Sequence, residues 1–235
     1  MNVTVTEMAR AIEHTLLRPE ATPQQIDLLC DEARRYGFAG VCVNPIYVRR
    51  AAERLATVGE NALSRRTVVV AAVGFPLGAS LTATKADEAR RAMDDGATEI
   101  DMVVALGALI AGDRAYVRSD LEAVARVVHH ASGNRLLKVI LETAALTPDQ
   151  LILGCRCCAE AEADFVKTST GFHSAGGATV EQVRQLHRYA SPLRVKAAGG
   201  IRTAEAAKAM LEAGAVRIGT SASIAIVGQL QGPAA

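Results

Sequence analysis

Short apolar runs and longer helix-spaced patterns alternate along this chain. Runs rich in Val, Ile, Leu and Ala fall at 12–16, 39–43, 68–73, 98–103, 136–142, 164–168, 194–198 and 215–219. Near-continuous apolarity over five to seven residues predicts strands buried on both faces, as in a parallel sheet. The first run is the least regular, because His14 and Thr15 interrupt it. Helix starts are marked between the runs. Thr22, Thr147 and Thr179 are each followed three residues later by Gln, a capping-box pattern, and Pro23 and Pro148 occupy first helical positions. Asn44-Pro45 predicts another helix start, and Gly96 and Gly214 stand where helices should stop. Eight strand-helix units of about 29 residues, with no linker or low-complexity segment, predict an α/β fold. The expected form is one (β/α)8 barrel domain over residues 1–235. A doubly wound open sheet is the alternative, but no Gly-x-Gly-x-x-Gly follows the first strand.

Charge and composition narrow the function classes. The 26 basic and 25 acidic side chains nearly cancel, which gives no general pull toward nucleic acid or membrane. Aromatics make up 3% with no Trp, too few for base-stacking platforms. No apolar stretch reaches the roughly 18 residues of a membrane span, and the opening Met-Asn-Val-Thr-Val-Thr-Glu lacks the pattern of a secretion signal, so the cytoplasm is expected. Five cysteines (30, 42, 155, 157 and 158) in such a chain argue against a disulfide framework. The Cys155-Arg-Cys157-Cys158 cluster falls in the helix expected after Thr147, with no histidine ligand nearby, and reads as buried thiols. A catalytic role for Cys42, in the second strand, is a weaker reading than a packed thiol.

Three of the apolar runs contain a lysine. Lys138, Lys167 and Lys196 recur at an interval of 29 residues, in Leu-Leu-Lys-Val-Ile, Phe-Val-Lys-Thr-Ser and Arg-Val-Lys-Ala-Ala. A buried ammonium is costly unless paired or deprotonated, so lysine here needs an explanation. In a (β/α)8 barrel the chemistry sits at the carboxyl ends of the strands, where Asp101 of the fourth run could join the three lysines. One explanation is an ion-pair network that fixes strand register. The other is a Schiff-base site, which needs a lysine that is neutral near pH 7 against an ordinary pKa of about 10.4. Desolvation and a second nearby cation both favour the neutral amine. Asp101 would move protons, with Lys138 holding it ionised. Beyond the last strands stand Gly171, Gly199, Gly200, Gly219 and Ser221; backbone amides there, with the helix start after the eighth strand, predict a site for a phosphorylated small molecule. Arg202 could reach such a phosphate or serve only its helix start. Glu142 reads equally as support for the lysines or as a helix-start partner, His14 as a packed residue, and His129, His130 and His187 as surface positions.

The same segments resemble deoxyribose-phosphate aldolases. Glu-Ile-Asp101-Met-Val, Asp-Phe-Val-Lys167-Thr-Ser-Thr-Gly-Phe and Val-Lys196-Ala-Ala-Gly-Gly-Ile-Arg are similar to that family's signatures. So are His14-Thr-Leu-Leu-Arg-Pro-Glu-Ala-Thr22, Val41-Cys-Val-Asn-Pro45, Gly74-Phe-Pro-Leu-Gly78 and Gly177-Ala-Thr-Val-Glu181. The resemblance runs from the first strand to the last. It implies a class I aldolase of deoxyribonucleotide catabolism that uses no metal or other cofactor. The expected reaction is reversible cleavage of 2-deoxy-D-ribose 5-phosphate to acetaldehyde and D-glyceraldehyde 3-phosphate. Lys167 is implied as the imine-forming residue, Lys196 as the group that perturbs it and Asp101 as the proton relay, with Lys138, Glu13 and Thr15 in support. A homo-oligomer, dimer or tetramer, is expected. The alternatives are an imine-forming lyase for another aldehyde pair and a non-catalytic phosphosugar-binding barrel. The chain departs from the family pattern at Glu13 (usually Asp), Arg18 (often Lys), Ala105 (often Asn), Phe172 (Lys in some members) and Ala222, where a hydroxyl is common. The final Gln-Gly-Pro-Ala-Ala lacks the terminal Tyr of some members.

Overall fold

The eight apolar runs pair in chain order, each strand parallel to the next and the last to the first, so the sheet closes on itself. A computed structural model describes residues 3–56 and 67–231; the tail 232–235, where a terminal Tyr is lacking, lies outside them. The strands are β1 (Ile12–Leu16), β2 (Gly40–Val43), β3 (Val68–Val73), β4 (Glu99–Val103), β5 (Leu136–Ile140), β6 (Phe165–Lys167), β7 (Arg194–Ala198) and β8 (Ala215–Thr220). The helices are α1 (Val5–Ala11), α2 (Pro23–Tyr36), α3 (Val48–Ala56), α4 (Thr82–Asp94), α5 (Leu106–Ile110), α6 (Arg114–His130), α7 (Pro148–Glu160), α8 (Val180–Tyr189), α9 (Ala204–Glu212) and α10 (Ser223–Gln231). This is the expected (β/α)8 barrel. Among the described residues no helix is long and apolar enough to cross a membrane.

Local chemistry sets the helix starts. Thr22, Thr147 and Thr179 each accept from the backbone N–H three residues on, and the Gln there accepts from the threonine's own N–H, so both halves of each capping box form. Thr4 and Glu7 make a fourth box that starts α1, a helix not predicted above although its Thr-x-x-Glu signal is legible. Asn44 does not cap: its amide donates to the Leu17 carbonyl at 3.1 Å. One 3-10 turn (Pro45–Tyr47) therefore precedes α3.

Strand alternation divides the core in two. One set of strand positions, including Val41, Ala71, Ile100, Met102, Val139, Val166, Val195 and Ile218, packs with the helix faces in a continuous apolar layer. The alternate positions point into the barrel. There, among the described residues, Cys42, Val70 and Ala72 of β2 and β3 form an apolar group, with Leu17 beside it. The inward positions of β4 to β8 and of β1 hold most of the buried charge. Each fully buried Val, Leu or Ile of the outer layer contributes roughly 1.5–3 kcal/mol, which offsets the desolvation of that charged interior.

A separate ion pair joins the helix layer to the sheet. Lys85 of α4 and Asp120 of α6 are both fully buried, with Nζ and Oδ2 2.7 Å apart. Lys85 also donates to the Val103 carbonyl at 3.2 Å, and the Thr82 hydroxyl donates to Asp120 at 2.7 Å. Removing one partner strands the other charge out of water. Asp120→Ala is expected to lower unfolding stability by about 3–5 kcal/mol in urea titrations, whereas Lys85→Met with Asp120→Leu should cost far less. Equal losses in the two variants would show that packing, not charge compensation, sets the contribution of this pair.

Candidate active site

Equal spacing in sequence does not place the three lysines at equal height. Lys138 is level with Asp101 on one side and Phe165 on the other. Lys167 is level with Ile140, two residues farther along β5 than Lys138, and Lys196 is level with Lys167. Two strand residues amount to roughly 6–7 Å, so Lys167 and Lys196 stand nearer the barrel mouth.

Their head groups meet at one carboxylate. Lys167 Nζ and Lys196 Nζ each donate to Asp101 Oδ2 at 2.7 Å, and Lys138 Nζ donates to Oδ1 at 3.0 Å. Glu13 bonds closely to Lys196 and lies 3.6 Å from Lys138. Below them, Lys138 pairs with Glu99 at 2.6 Å, and Arg217 approaches Glu99 at 3.5 Å and Glu13 at 3.8 Å. Burial opposes the charge on Asp101, but Lys138, Lys167 and Lys196 outweigh it and hold its carboxyl well below the usual range. Burial likewise opposes the charge on Lys196 and Lys138. Asp101 and Glu13 outweigh it at both, helped by Glu99 at Lys138, and both pKa values lie above that of a free lysine. Those two lysines are therefore ammonium groups at neutral pH.

Sequence reasoning did not single out Glu99 and Arg217. Their signal was alternation: each precedes a predicted site residue, Asp101 or Gly219, by two positions and shares its face of the strand. Glu13 and Lys138 both lie in the cluster.

The cluster opens to the outside at one lysine. A cavity of about 660 Å³ at the carboxyl ends of the strands is lined by Lys167, but not by Lys138 or Lys196. Thr15, Gly171, Gly199, Gly200, Gly219 and Ser221 all line it, as do Arg18, Arg202 and Phe172. The N–H groups of Gly171, Gly199, Gly200 and Ser221 have no hydrogen-bond partner among the described residues. Four unpartnered amides lining one cavity can receive an anion. Gly219 differs from these four. It lies within β8, and a Cβ there would stand 3.1 Å from Lys196 Cε, so its bareness makes room for the Lys196 side chain.

The remaining candidates fall outside the cluster. His14 lines the cavity, bonds Glu32 at 2.9 Å and packs on Phe38, and burial pushes its pKa below the usual imidazole value. Burial pushes the Cys42 thiol up to about 11, which keeps it protonated. Cys155, Cys157 and Cys158 are buried free thiols of α7. His129 pairs with Asp164 at 3.1 Å, while the tight approach of His187 to Gly214 shows it packed against the next helix end. Among the described residues Glu142 forms no ion pair with a lysine and instead accepts hydrogen bonds from Thr170.

Comparison with known proteins agrees with this geometry. The model of the DeoC/LacD family aldolases matches residues 8–232. A deoxyribose-phosphate aldolase of Brevibacillus brevis is 50% identical over 221 residues, covering 94% of this chain and 95% of that protein. Its counterpart in Thermococcus gammatolerans is 52% identical over 222 residues, with 94% and 95% covered. Among solved structures, the tetrameric deoxyribose phosphate aldolase of Aeropyrum pernix aligns with a TM-score of 0.88 at 30% identity, covering 98% of this chain and 94% of that one. On its sequence, its closed barrel and its buried lysine cluster, the chain belongs to the DeoC/LacD family of aldolases.

Proposed function

We propose that this chain reversibly cleaves 2-deoxy-D-ribose 5-phosphate to acetaldehyde and D-glyceraldehyde 3-phosphate through a Schiff base on Lys167. The observation that carries this reading is that Lys167 alone of the three clustered lysines lines the cavity, with Asp101 2.7 Å from its amine.

The lone pair of Lys167 Nζ attacks C1 of the open-chain sugar, and the carbinolamine loses water to give a protonated imine. Loss of the C3 hydroxyl proton turns C3 into a carbonyl as the C2–C3 bond breaks. The bonding pair moves into the imine and leaves an enamine. Protonation at C2 and hydrolysis then release acetaldehyde and the free amine. Asp101 is the relay, because one oxygen, Oδ2, is bonded to both Lys167 and Lys196, so a proton passes between them through a single atom. Lys138 and Glu13 hold that geometry from the far side, and Thr15 stands on the cavity wall. The phosphate sits on the unpartnered amides of Gly171, Gly199, Gly200 and Ser221 and fixes the departing aldehyde. Arg202, also on the wall, adds positive charge.

Five buried free cysteines suit a reducing compartment, the cytoplasm. The Aeropyrum pernix relative is tetrameric, and a homo-oligomer, dimer or tetramer, is proposed for this chain too.

Borohydride reduction in the presence of acetaldehyde is expected to fix a two-carbon adduct on Lys167, located by peptide mass analysis. An adduct on Lys196 or Lys138 with Lys167 untouched would sink the assignment.

The electrostatic role of Lys196 has its own test. With its pKa raised, Lys196 is charged across the neutral range, and Lys196→Leu removes that charge. A like charge beside the imine-forming amine has then gone, an interaction of roughly 2–4 kcal/mol at an effective dielectric of about 20, which predicts a rate loss of roughly 10- to 1,000-fold at pH 7. The lost activity should return in part as pH rises toward 10. A flat, negligible rate over that range would instead make Lys196 a direct proton donor.

A further inference from the structure

One buried carboxylate near the cavity faces no cation. Glu142, two residues beyond β5, is 2% exposed and forms no ion pair among the described residues. Its backbone is left-handed, with φ 57° and ψ 56°, a conformation uncommon for a residue with a side chain. On either side of it the β5–β6 ladder continues, with Leu141 N–H donating to the Lys167 carbonyl at 3.0 Å and Thr143 N–H to the Thr168 carbonyl at 2.9 Å. The Glu142 carboxylate reaches the next stretch of the same loop. It accepts the Thr170 hydroxyl at 2.5 Å and the Thr170 N–H at 3.2 Å. Donation to Glu142 orients that hydroxyl, and its oxygen accepts the Phe172 N–H at 3.1 Å. The amides on both sides of Gly171 are thus consumed. Gly171 itself, with φ 82°, keeps its N–H without a partner on the cavity wall.

We propose that Glu142 is a positioning residue whose clamp on Thr170 presents the Gly171 N–H to the anionic group of the substrate. This rests on the phosphate corner proposed above. Without the clamp, the Thr170 N–H and O–H lose their acceptor, the hydroxyl that holds the Phe172 N–H is no longer oriented, and the turn around Gly171 is left to the Phe172–Phe75 contact. A buried carboxylate suits the task better than a neutral acceptor, since it takes an N–H and an O–H together and bonds both more strongly. Its position outside the lysine cluster separates this role from the imine chemistry.

The left-handed backbone supplies a clean test. Glycine adopts φ 57° without steric strain, so Glu142→Gly removes the clamp without straining the turn. The KM for 2-deoxyribose 5-phosphate is expected to rise so that kcat/KM falls about tenfold more than for unphosphorylated 2-deoxyribose, the scale of one hydrogen bond. Thr170→Val should shift the same ratio, and the pair together should shift it no further. Glu142→Gln, which keeps an acceptor, should restore part of it. Calorimetric titration with inorganic phosphate gives a readout independent of turnover, and its affinity should weaken in Glu142→Gly as well. Equal losses on both sugars, or unchanged phosphate affinity in the variant, would overturn the proposal. Absence of cleavage by the wild-type protein would overturn the proposed function, and the phosphate titration would still decide the role of Glu142.

Discussion

A buried carboxylate keeps its charge only where cations or hydrogen-bond donors replace water, and Asp101 is surrounded by three lysines. Its two oxygens are bonded to Lys138, Lys167 and Lys196, so the three strands that carry them are tied to β4 at one point. Charge counting extends the constraint. The buried cluster holds four basic side chains, with Arg217 the fourth, against three acidic ones, Glu13, Glu99 and Asp101. Loss of one proton from a lysine brings the group to neutrality. Arg217 cannot supply that proton, and Lys138 and Lys196 are each held by more than one carboxylate. Among the described residues Lys167 pairs only with Asp101, and it is the lysine at the cavity. The same packing that compensates the cluster leaves Lys167 as the lysine that a molecule in the cavity can reach.

Barrel closure makes this arrangement possible. Glu13 on β1 and Lys196 on β7 are 183 residues apart, and they touch because β8 lies beside both. An open sheet would leave β1 and β8 as separate edges and remove Glu13 and Arg217 from each other's reach. The apolar half of the interior, Cys42, Val70 and Ala72, does the complementary work. It keeps water from the β2–β3 side, so the ionic half is solvated by its own partners.

The sequence made much of this readable, for physical reasons that differ between elements. The eight strands were legible because a parallel strand buried on both faces admits few polar residues, and lysines inside such runs therefore stood out. Strand order and closure followed from the repeat length. Relative height was not legible, since the equal interval of 29 residues conceals the two-residue step between Lys138 and Lys167. Lys85 was invisible for another reason. It is as deeply buried as the catalytic candidates, yet it lies in Thr-Ala-Thr-Lys-Ala-Asp-Glu, a polar stretch of helix in which nothing distinguishes a buried lysine from a solvated one. The contact of Glu142 with Thr170 spans 28 residues and depends on a left-handed turn, which no spacing rule encodes for glutamate.

The two ends of the proposed substrate meet two different kinds of electrostatics. At the aldehyde end the charges are full, buried and paired, and a proton can move because every neighbour is fixed. At the phosphate end the cavity offers backbone N–H groups, whose partial charges cannot be titrated and do not compete for Glu13, Glu99 or Asp101. Beyond Gly171, Phe172 stacks edge-on with Phe75 at 5.2 Å, so the loop is anchored by an apolar contact. As proposed, the anion rests on backbone dipoles with Arg202 beside them and the loop is held by Glu142 and an aromatic pair, so the anion corner draws no charge from the cluster around Lys167.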